Sequence, residues 1–125
     1  MTLDHYNSFC ASLPHAHHIV QWGDAHVWKV GEGKIAKVFA VAGWSTGSLP
    51  FVTFKCSPMS FDILKDQPGL RPAPYLASRG MKWLQRTDDA TMDDAILKDY
   101  LRESHRLASL NLPKGEQKRL GLNQD

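Results

Sequence analysis

"VWKVGEGKIAKVFAVAGWSTGSLPFVTFKC", residues 27–56, decides the fold. It holds three runs rich in β-branched and aromatic residues: "HVWKV" at 26–30, "KIAKVFAV" at 34–41 and "FVTFKC" at 51–56. Such residues suit the pleated, half-buried surface of a strand. The joins are "GEG" at 31–33 and "AGWSTGSLP" at 42–50. Both are turn or loop chemistry, and neither has room for a crossover helix, so the three strands must run antiparallel. Upstream, "HIVQW" at 18–22 is tied to the first run by "GDA" and adds a fourth strand.

Helices flank this sheet. In "LDHYNSFCASL" at 3–13, Leu3, Tyr6, Phe9, Cys10 and Leu13 recur at three- and four-residue spacing, one face of an amphipathic helix. Thr2 is its expected cap and Pro14 its stop. "SPMSFDILKDQPG" at 57–69 has Ser57 to cap, Pro58 for the first helical position and Pro68-Gly69 to end it. "LRPAPYLASRG" at 70–80 is too proline-rich for either period and reads as an ordered loop, and "MKWLQRT" at 81–87 as a last strand. "TMDDAILKDYLRESHRLASLN" at 91–111 is a long helix, capped by Thr91 with Asp94 three residues on. Its apolar stripe is Ile96, Leu97, Tyr100, Leu101, Ser104, Leu107 and Ala108. The reading is an α+β fold: an antiparallel sheet with an N-terminal, a middle and a long C-terminal helix. One domain is expected over 1–112, followed by a polar, basic and only partly ordered tail at 113–125.

The chain has 125 residues, 42% hydrophobic and 22% charged, with a net charge of +2. That is globular composition. No apolar run approaches the roughly 20 residues of a membrane span. The start "MTLDHYNSF" lacks a secretory pattern, so a cytoplasmic protein without membrane contact is expected. Cys10 and Cys56 form no C-x-x-C pair and read as buried free thiols.

"PHAHHIVQWGDAH" at 14–26 concentrates histidine. A zinc site needs three or four converging ligands. His15 and His17 can share a strand face, but His18 then points away, so a metal site is not expected. There is no G-x-S-x-G, H-E-x-x-H or phosphate loop. "VGEGK" has the wrong spacing for the last of these. An enzyme is not expected, and no cofactor is implied.

The order and spacing of several short motifs resemble the MmcQ/YjbR family of small bacterial proteins. The family's F-K-V-x-G-K-x-F-A strand is similar to "VWKVGEGKIAKVFAV", and its V-x-L-K strand to "VTFKC". The Pro-Tyr segment and W-V/L strand resemble "APYLASRGMKWLQ", and the final Ser-Tyr or Ser-His pair "RESHRLAS". The turn is expanded here, so Lys34 or Lys37 matches the family lysine; Lys37 keeps the K-x-F-A spacing. The resemblance covers about Leu3 to Leu110. It implies a frataxin-like (CyaY-like) fold and DNA binding through a double-wing arrangement, without catalytic residues.

The residues themselves offer a parallel argument. Between Lys29 and Lys55 stand four lysines and one acid, and from Arg71 to Arg86 four cations and no acid. Alternation sets Lys37 with Ile35, Phe39 and Val41; Lys55 with Phe51 and Thr53; and Lys82 and Arg86 with Leu84. A basic sheet face of Lys37, Lys55, Arg71, Lys82 and Arg86 is expected, with Tyr75 or Trp83 to stack on bases. It suits DNA phosphate with little sequence specificity, bound by a monomer. Trp22, Trp28 and Trp83 also suit a core, and Trp44 an exposed loop. The alternative function is a protein-interaction or small-ligand module with a pocket between the sheet and the "RPAPYL" loop.

Overall fold

The computed structural model describes residues 1–45, 47–74 and 80–124. Helix α1 spans Leu3–Ala11. Strands β1 (Ala16–Gln21), β2 (Ala25–Val30), β3 (Lys37–Gly43) and β4 (Phe51–Lys55) follow. Then come α2 (Pro58–Leu64), β5 (Leu70–Pro72), β6 (Trp83–Arg86), α3 (Asp94–Ser109) and α4 (Lys114–Arg119). The described strands form one antiparallel sheet in the order β1-β2-β3-β4-β6-β5. The α+β architecture is the one expected.

The main core lies between the sheet and the helices. Tyr6 and Cys10 from α1 and Leu97, Leu101 and Ala108 from α3 meet Trp28, Val30, Phe39, Val52, Phe54 and Leu84 from the strands. Ala25, Val27 and Val41 form a smaller cluster on the other sheet face. Thr2 caps α1, accepting from the His5 N–H, and Ser57 caps α2, accepting from Ser60.

Several local expectations change. Residues 33–35 form a 3-10 turn, and β3 begins only at Lys37. A bulge follows, because Trp28 pairs with Ala40 while Lys29 pairs with Val38. Phe39 is the extra residue, and with Ala40 it faces the helices, whereas Val38 and Val41 lie on the other side. Strict alternation therefore fails across this strand. The proline-rich stretch 70–80 contributes an edge strand, β5, in which Pro72 is tolerated because an edge asks less of its backbone.

Asp93, not Thr91, caps α3: its carboxylate accepts from the Ile96 N–H at 2.8 Å. Asp94 instead accepts from Arg86 at 3.0 Å. The helix is rotated from its expected stripe, so Ile96 is 42% exposed while His105 is buried. The tail is not loose. It forms α4 and returns Leu112 and Leu122 to the main core, with the Gln117 amide donating to the Leu112 carbonyl at 2.8 Å.

Candidate nucleic-acid interface

Three neighbouring strands meet at one end of the sheet. β3 starts there at Lys37, β4 stops there at Lys55, and β6 starts there just after Lys82. The register fixes this, since Ala40 opposes Phe54, Phe54 opposes Leu84 and Lys55 opposes Trp83. The Cys56 N–H extends the β4–β6 pairing to the Lys82 carbonyl at 3.0 Å. Lys37, Lys55 and Lys82 are all half-buried, so their stems pack while their ammonium groups reach solvent. Lys82 lies with its Nζ 5.0 Å from the centre of the Phe61 ring of α2, a cation–π distance.

The carboxylates of Glu32, Glu103 and Glu116 are each ion-paired. Arg119 holds both Glu32 and Glu116, and Arg106 binds Glu103 at 2.6 Å. The Arg119 bonds draw the Glu32 carboxyl below its usual range. At the opposite sheet end Asp24 sits in the β1–β2 turn, Asp88 and Asp89 follow β6 and Asp93 caps α3, while Asp94 is paired with Arg86 and the Met1 amine.

The predicted residues separate accordingly. Lys55 and Arg71 lie on the sheet face away from the helices. There the Arg71 Nε–H donates to Gln85 at 2.8 Å and Gln85 donates to Thr53 at 3.3 Å. The Arg71 guanidinium sits 5.5 Å from the Phe51 ring. Lys37 pairs with Val30 and is on the helix side. Arg86 is a correction. It is only 6% exposed and ion-paired to Asp94, because its face of β6 is the covered one, so it is not part of an accessible basic surface. Trp83 is 5% exposed and is a wall, not an open stacking platform. Tyr75 lies outside the described residues.

Trp44 is exposed as expected, but Trp22 also leaves the core, at 56% exposure. Their rings stand 6.3 Å apart, and both residues have left-handed backbones. The histidines disperse. His15 donates to the Leu120 carbonyl at 2.8 Å, while His18 meets His26 at 2.9 Å and stacks on Trp28. Among the described residues no group of three or more His, Cys, Asp or Glu is placed to hold a metal ion. No described helix is long and apolar enough to cross a membrane.

A cavity of about 370 Å³ opens beside Lys55 and Lys82, lined also by Pro58, Met81, Trp83 and Leu107. Its walls come from three separate segments, 55–58, 81–83 and Leu107, so no periodicity in the chain announces it. The pocket expected under the 71–76 loop falls partly on residues outside those described. On that side a cavity of about 340 Å³ is lined by Trp44, Arg71, Pro74 and Gln85.

The helix-backed antiparallel sheet defines a small α+β protein. A family model described as YjbR matches residues 11–107, and the chain belongs to that family. The crystal structure of Deinococcus radiodurans protein DR2400, a DUF419 domain, is similar throughout. Its TM-score is 0.84 at 27% identity, over 99% of this chain and 91% of that one. No curated protein gives a significant match.

Proposed function

We propose that this protein is a non-enzymatic, monomeric nucleic-acid-binding protein of the cytoplasm that grips phosphate with the lysine-bearing end of its sheet. The observation that carries the reading is the register of β3, β4 and β6, which brings Lys37, Lys55 and Lys82, the last just before β6, to one end of the sheet. Strands lie roughly 4.8 Å apart, so three of them span about 10 Å. That is the length of about four phosphates of one DNA strand at their ~3.4 Å axial spacing, enough for each of three lysines to meet its own. Contacts to phosphate alone carry no sequence information. Two buried, unpaired thiols accord with a reducing compartment.

The test is fluorescence anisotropy of a labelled oligonucleotide across a salt series. Three phosphate contacts predict a log–log slope of about 2 to 3. The Lys55→Glu/Lys82→Glu variant should keep its circular dichroism, bind at least about tenfold more weakly and lose about two units of slope. Unchanged binding by that variant overturns the reading.

A further inference from the structure

We infer that the cavity between Lys55 and Lys82 receives one unpaired nucleobase, so the protein prefers single-stranded nucleic acid to duplex. The inference rests on the phosphate-binding reading above and specifies its ligand. The cavity's body is apolar, formed by Pro58, Met81, Trp83 and Leu107, with the two lysines among its lining. Its volume, about 370 Å³, is at the small end of ligand sites and admits one flat ring system with its sugar. An apolar slot flanked by cations has the chemistry of a base between two phosphates: the ring is desolvated and the charges are met outside. A base inside an intact duplex is stacked and paired and cannot enter.

Trp83, only 5% exposed, gives the cavity an aromatic wall. The Cys56 thiol, also in this lining, is pushed up to about 11 by burial against the opposing pull of Lys82, so it stays protonated and is not a competing anion.

The experiment compares three labelled oligomers of equal length by anisotropy: a single strand, its duplex and an abasic strand of equal charge. The single strand should bind about tenfold more tightly than the abasic strand, the scale of one stacked base, and more tightly than the duplex. Leu107→Trp, which fills the cavity, should bring the single strand down to the abasic affinity and leave the abasic affinity unchanged. Met81→Trp, at an exposed part of the wall, repeats the test should Leu107→Trp fail to fold. Equal, salt-dependent affinities for all three oligomers overturn the base pocket and leave the phosphate reading standing. No binding of any oligomer at low salt overturns both.

Discussion

The Ser104 hydroxyl of α3 donates to the Phe39 carbonyl at 2.6 Å in the floor of the sheet. The same oxygen accepts from the Lys55 N–H at 2.8 Å. The β3–β4 pairing ends at Ala40 opposite Phe54, and just beyond it one helix side chain bridges a backbone group of each strand. The bridge fixes where β4 ends, and therefore where Lys55 stands. Ser104→Ala would strand a buried carbonyl and a buried N–H. A loss of about 2 to 4 kcal/mol is expected from urea unfolding. Ser104→Thr, which keeps the hydroxyl, should lose less.

His105 sits beside Ser104, buried, with its Nε2–H donating to the Pro14 carbonyl at 2.7 Å. Burial lowers its pKa, the Pro14 bond opposes that, and nearby His15 adds to the lowering; the net shift is downward. The unfolded chain then binds the proton more readily than the folded one. Stability is full above the ordinary imidazole value of about 6.5 and is lost as pH falls below it, down to the lowered folded value. His18 is shifted the same way, by burial and by the charge of His26. Urea midpoints measured from pH 7.5 to 5 should decline, and the decline should be shallower in His105→Asn.

Arg86 and Asp94 join the sheet to the start of α3 at 3.0 Å. Burial alone would raise the Asp94 pKa, but hydrogen bonds from Arg86 and the Met1 amine hold it below the usual range. Its contribution is thus present at neutral pH and is lost as acid protonates it. Arg86→Met should cost about 1 to 2 kcal/mol, since Asp94 is partly exposed and screened. It should leave oligonucleotide affinity and salt slope unchanged, in contrast to Lys55 and Lys82 variants.

Both thiols should be silent in the native state. Burial raises Cys10 to about 12, against a lowering hydrogen bond with Tyr6, and raises Cys56 to about 11. At pH 8 a thiol-specific chromogenic reagent should react with neither until denaturant is added, and then with two per chain. Fast labelling of either in native buffer would contradict this packing.

Much of the fold is legible in local chemistry. "GEG" and "GDA" join short β-rich runs, and Thr2 and Ser57 precede apolar stripes, because turns and caps depend on neighbours within four residues. The cap of α3 was legible only in kind. Thr91 and Asp93 are both good caps, and the choice between them turns on Arg86, which claims Asp94 from the end of β6. The tail shows the same limit. "NLPKGEQKRLGLNQD" is polar in composition, yet Leu112 and Leu122 find a core that exists only once the sheet and α3 are assembled.

An α+β chain with an antiparallel sheet, buried thiols and lysines concentrated on the strands can be read from the residues in order. Those properties follow from residue type and short-range period. Which of the basic side chains reach the surface depends on how the chain packs. A single extra residue at Phe39 reverses the alternation of β3, and the helices cover the face of β6 that carries Arg86. The expected basic face becomes a basic end, with an apolar cavity between two of its lysines. Facing and register are long-range properties: they are set by which surface the helices bury, and no window of the chain contains that information.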